Sequence, residues 1–176
     1  MLAHRLIPVV CALGLLACAK AEDSISIGRF QVAAARTKTC GDVGLLGSPA
    51  EQSYVVVLRL VSSKMVQWDD GKNLLSCLLE ADGLTFSERS SMSVDMRADE
   101  EGGGEPPCVV QRNDLLSGAL QGVSAPSATG FEATMSYEFV PTEGSSCEDL
   151  VTGAEPIADA LPCTLEYELT ATRMAG

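Results

Sequence analysis

Histidine is almost absent: one residue in 176, at position 4. Downstream of that position no Ser-His-Asp or Cys-His site and no histidine-ligated metal is available. Aromatic residues are 5% of the chain and tryptophan occurs once, at Trp68. No apolar run approaches the ~18 residues that a spanning helix requires. Basic residues are scarce: 12 against 24 acids, a net charge of −12. Such a surface repels nucleic acid and anionic headgroups, and it keeps a protein soluble. The CxxC pair, the GxxxxGK[ST] loop and the GxGxxG turn are also missing. Zinc-ribbon, P-loop and dinucleotide sites therefore have no carrier. Gly102-Gly103-Gly104 runs into Glu105 and two prolines and cradles no phosphate.

Carboxylates remain. Asp95, Asp99, Glu100, Glu101 and Glu105 offer oxygens to calcium but lack the alternating EF-hand spacing, so they read as a solvated loop. Asp69-Asp70 reads as turn chemistry. Nothing marks a glycosidase-type carboxylate pair. The expectation is a non-enzyme with no catalytic residue, no metal site and no cofactor.

What is present begins at the N-terminus. His4 and Arg5 precede the 12-residue apolar run LIPVVCALGLLA, a signal-peptide h-region in length. Leu15-Leu16-Ala17-Cys18 closes it. This stretch resembles the lipobox of bacterial lipoproteins. The resemblance covers about 20 residues and implies cleavage before Cys18, with lipid on its thiol and acylation of the new amino group. An ordinary secretory signal cut at Ala17-Cys18-Ala19 is the alternative. Two or more acyl chains anchor stably where one does not. Position 19 is alanine rather than the aspartate that often retains such proteins at the inner membrane, so the resemblance points to the outer membrane. The expected organisation is a signal peptide over 1–17, a lipidated tether over 18–23 and one β domain over 24–176. The expected location is the cell envelope, held to the membrane through the N-terminal lipid.

The body carries strand signals throughout. In FEATMSYEF (131–139) the residues Phe131, Ala133, Met135, Tyr137 and Phe139 share one face. In TLEYELTAT (164–172) Leu165, Tyr167, Leu169 and Ala171 do the same. Period-two alternation marks a sheet with one dry face. It predicts burial of Phe131, Met135, Tyr137, Leu165, Tyr167 and Leu169, and exposure of Glu132, Glu138, Glu166 and Glu168. Further strands are predicted over 24–38, with a bulge at Gly28, and over 54–61, 64–69, 73–80, 84–97 and 109–120. Asp70-Gly71 and Asp82-Gly83 are hairpin dipeptides. Gly153 and Pro156 limit residues 146–161 to one or two helical turns.

Eight sequential antiparallel strands make an up-and-down meander, and closure into a barrel removes its edges. A two-sheet β-sandwich is the alternative. With the first strand taken as up, loops 39–53, 98–107 and 141–162 crowd the top, while Ser62-Ser63, Asp82-Gly83 and loop 121–129 lie at the bottom. Cys40, Cys108, Cys147 and Cys163 fall at the top, and Cys77 lies within a strand as a buried free thiol. An extracytoplasmic protein keeps disulfides. Cys147–Cys163 is the first expected pair and Cys40–Cys108 the second.

In this inferred topology the body resembles the lipocalin and avidin class of small β-barrels, without the lipocalin Gly-x-Trp signature. The resemblance implies a ligand cavity or a filled interior. The candidate cavity-lining residues are Trp68, Arg112 and Asp114. A cavity of ~300 Å³ or more favours a binder of a small apolar or amphipathic ligand. A filled barrel favours a structural or protein-interaction role in the envelope.

Overall fold

The computed structural model describes residues 24–41, 48–97, 106–154 and 156–175. Cys18, the signal segment and the acidic residues Asp99, Glu100, Glu101 and Glu105 lie outside them. Eight strands follow one another: β1 (Ile25–Lys38), β2 (Glu51–Ser62), β3 (Met65–Asp69), β4 (Leu74–Leu79), β5 (Thr85–Asp95), β6 (Val109–Gln121), β7 (Gly130–Pro141) and β8 (Cys163–Arg173). Each pairs antiparallel with the next, and β8 pairs with β1, so the sheet closes into a barrel. The sandwich alternative is set aside by that last ladder, which runs from Phe30↔Arg173 to Lys38↔Glu166. Among the described residues the one α-helix, α1, is a single short piece, Glu148–Thr152.

Alternation puts the core inside. Along β8, Leu165, Tyr167, Leu169 and Ala171 are buried, and Glu168 is exposed. Glu166 departs from expectation. It is half-buried because Lys38 and Thr37 on β1 close over its carboxylate at 2.9 and 3.0 Å. The predicted bulge is present: the β1–β2 register shifts between Ser26 and Gly28. Gly28 has φ 156°, and a Cβ there would meet Arg173 Nε at 2.9 Å. Gly118 on β6 allows a close approach, since a Cβ would come within 2.5 Å of Ala133 Cβ and 2.8 Å of Phe86 Cζ.

The lower barrel is packed solid. Phe131 lies 5.5 Å from Phe30, 5.3 Å from Trp68 and 6.0 Å from Phe86, centroid to centroid, in tilted and edge-on geometries favourable for aromatic pairs. Loop 122–129, with a 3-10 turn at Ala125–Ser127, folds back over this end and buries Ala125 and Ala128. Arg173 donates to the Ala128 carbonyl at 3.2 Å and holds the loop down.

The top is closed covalently, and here the expected pairing is corrected. The disulfides are Cys40–Cys163 and Cys108–Cys147, not Cys147–Cys163 and Cys40–Cys108. Closure explains the difference. It places the end of β1 beside the start of β8, so Cys40 meets Cys163. Cys108 precedes β6 and Cys147 follows β7, and β6 and β7 are neighbours with Val110 opposite Pro141. Among the described residues Cys77 is the free, buried thiol.

Candidate functional site

Above the aromatic layer the interior opens. A cavity of about 410 Å³ is lined by Ala34 of β1, Gln52 and Tyr54 of β2, the β3–β4 turn, Met135 and Tyr137 of β7, and Leu165, Tyr167 and Leu169 of β8. Ser48 and Ser53 complete the wall. The sequence builds this contrast directly. Three of the four phenylalanines and the tryptophan fill the lower layer, whereas all three tyrosines face the upper cavity. Each tyrosine adds a hydroxyl to the upper wall.

The three hydroxyls are not equivalent. Tyr167 donates to the Pro49 carbonyl at 2.9 Å and meets the Ser48 hydroxyl, while Arg36 donates to the Ser48 carbonyl. This tyrosine ties the segment before β2 across the rim. Tyr54 and Tyr137 have no hydrogen-bond partner among the described residues, and both are half-buried. Burial raises the Tyr54 pKa, helped by the fields of Tyr137 and Asp70. Burial also raises that of Tyr137, against the lowering effect of Arg112 and with further raising by Asp114, Asp70 and Tyr167. Both phenols therefore stay neutral and can donate as well as accept.

The turn at the rim is held by aspartate. Asp69 accepts from Gly71 N–H at 2.9 Å, and Asp70 accepts from Lys72 N–H at 2.8 Å and Asn73 N–H at 2.6 Å. Partial burial opposes ionisation of Asp70, but the Asn73 side chain, these backbone donors and the Lys72 charge outweigh it and lower its pKa. Among the described lining residues the mouth thus carries the fixed Asp70 carboxylate beside the Lys72 ammonium.

No family model, curated protein or solved structure matches the chain.

Of the three candidate cavity residues, Trp68 is misplaced by sequence reasoning. It is 1% exposed and belongs to the lower aromatic layer with Phe86 and Phe131, away from the cavity wall. β3 is short: its upper end, Asp69, reaches only to Val57 at mid-height of β2, and Trp68 pairs with Leu58 below it. Arg112 and Asp114 do face inward. They form a two-toothed ion pair at 2.7 and 2.8 Å, and the guanidinium stacks on the Tyr137 ring at 4.6 Å. They touch the cavity through Tyr137 rather than lining it. Met135 and Tyr137 are half-buried rather than buried, because they front this space. Tyr54, Ser48 and the Asp70–Asn73 turn went unrecognised as wall residues. The signal available was the distribution of tyrosine and phenylalanine along the strands.

Cys77 lies inside the wall of β4. Desolvation pushes its thiol up to about 12, with the negative field of Glu88 adding to the effect. Such a thiol is a poor nucleophile at neutral pH. Among the described residues no three His, Cys, Asp or Glu side chains converge as a metal site.

Proposed function

We propose that this chain is a non-catalytic binding lipoprotein of the cell envelope. It is tethered through lipidated Cys18 and takes a small amphipathic ligand in the upper cavity. The observation that carries the reading is the cavity itself: about 410 Å³ above a packed layer, with the Tyr54 and Tyr137 hydroxyls in its wall and without a hydrogen-bond partner among the described residues. The volume falls in the range of small-molecule sites. The wall favours an amphipathic ligand over a wholly apolar one. Ala34, Met135, Leu165 and Leu169 offer hydrocarbon, while two free phenols, Gln52 and Asn73 offer hydrogen bonds. An apolar ligand would leave those groups unpaired in a desolvated site, which costs about 1–3 kcal/mol each.

The tether supports an orientation. β1 begins with Ile25 at the packed end, and five residues between Cys18 and Ser24 reach at most about 18 Å. The packed end then faces the membrane, and the mouth faces away, in the outer membrane by the lipobox context. Native mass spectrometry of the mature protein from its own envelope tests both halves. Acyl mass on Cys18 and a separate, dissociable small-molecule mass are expected. The double variant Tyr54→Phe/Tyr137→Phe should keep the acyl mass and lose most of the second one. A protein carrying lipid alone would leave the anchor and remove the ligand.

A further inference from the structure

The barrel wall has a seam. β4 and β5 pair at only two positions, Leu78↔Ser87 and Leu79↔Phe86. On its other side β5 pairs with β6 without interruption from Thr85↔Ala119 to Asp95↔Val109. β4 likewise keeps its ladder with β3 up to Asp69↔Leu74. Above the two pairs the strands part, so one edge of Glu88–Asp95 has no strand beside it among the described residues. Backbone groups alternate between the two edges of a strand, so about four N–H and four C=O groups face the opening.

The side chains record the same gap. Met92 and Val94 share the inward parity of buried Phe86, yet they are 49% and 36% exposed. Natural edges are blunted by proline, by bulges or by a row of charges. This one has no proline and no register shift, and its charges, Glu88, Arg89 and Asp95, leave the stretch from Ser90 to Val94 uncharged.

We infer that the β4–β5 seam receives an extended strand from a partner polypeptide, which pairs antiparallel with Glu88–Asp95. A row of alternating donors and acceptors is complemented by another backbone, the basis of recognition by strand addition. The side chains set the partner's pattern. Asp95 and Arg89 point outward at the two ends of the edge, both exposed, and Met92 and Val94 point inward between them. The matching strand carries a basic residue opposite Asp95, apolar residues opposite Val94 and Met92, and an acidic residue opposite Arg89, because opposed cross-strand charges attract. A second copy is the competing occupant, since a two-fold pairing about Met92 also sets Arg89 against Asp95. A net charge of −12 on each chain opposes it. It would also turn the two barrels head to tail, which short tethers on one membrane forbid on the reading proposed above.

The probe is a fluorescent synthetic peptide, Thr-Lys-Val-Thr-Val-Ser-Thr-Glu-Thr, added to the mature disulfide-bonded protein. Its control exchanges the Lys and the Glu. The first peptide should bind about tenfold more tightly than the control, from two charge pairs made attractive rather than repulsive. It should slow amide exchange at alternate residues of Glu88–Asp95. The variant Arg89→Glu/Asp95→Lys, altered only at exposed positions, should invert the preference. Equal binding of the two peptides, no binding, a preference that does not invert, or protection elsewhere would overturn the inference. So would protection of the edge that grows with protein concentration alone and that the peptide does not displace, which would assign the seam to a second copy.

Discussion

The two ends of this barrel hold together by different means. The lower end is a packed solid of Phe30, Trp68, Phe86 and Phe131, capped by loop 122–129 and by tight turns. The upper end has tyrosines around a cavity and relies on two disulfides and polar rim contacts such as Arg97–Asp149 at 2.7 Å. The contrast teaches that a cavity removes packing from the place that must stay shaped, and cross-links restore the shape without filling the space. Hydrophobic packing and cavity cannot occupy the same volume, because a void forfeits the contacts that its lining would otherwise make.

The largest effect expected of a change is at the covalent end. Replacing Cys40 and Cys163 together by serine opens a cross-link across a sequence separation of 123 residues. In the chain-entropy model that is worth about 5 kcal/mol, against about 4 for Cys108–Cys147, which spans 39. Urea melts of the two double variants should fall in that order. A smaller loss for Cys40/Cys163 would break the claim that the cross-links hold the upper end, the longer loop giving the larger share.

The next effect divides the two aromatic layers. Phe131→Ala, in the packed layer, should cost about 3–5 kcal/mol. Tyr54→Phe, which removes an unpaired hydroxyl, should stay within about 0.5 kcal/mol. Similar losses from the two would show that Tyr54 is structural after all.

The smallest effects are ionic. Asp70 at the top turn and Asp82 at the bottom turn are both lowered from an ordinary 3.8. In Asp82 the Thr85 hydroxyl and the Leu84 and Thr85 amides hold the charged form. A carboxyl depressed by folding stabilises the native state above its unfolded value. That contribution is lost as pH falls below 3.8 and through the folded value. Carboxyl NMR titrations should place both midpoints under 3.8, and a midpoint above it for either would separate the two turns.

Much of this architecture was legible in the sequence. Alternation in residues 131–139 and 164–172 marked the faces of β7 and β8, and the Asp-Gly dipeptides marked both hairpins. Hydrophobic period and turn chemistry are local signals, and strands express them locally. The disulfide partners were not legible, because Cys40 meets Cys163 only through the β1–β8 ladder, a long-range pairing that no local pattern encodes. The same limit misplaced Trp68. Its parity was readable, but its height depends on how far β3 climbs beside β2. The half-burial of Glu166 likewise needed Lys38 from the far end of the chain.

The central claim is that the upper half accepts a ligand while the lower half is full. Methyl NMR of the mature protein, titrated with the small-molecule extract of its own cell envelope, reads both halves at once. The account predicts shifts at Met135, Leu165 and Leu169, with Val56, Val66 and Leu120, the last opposite Phe131, unmoved. Shifts spread through the lower methyls, or none at all, would contradict it.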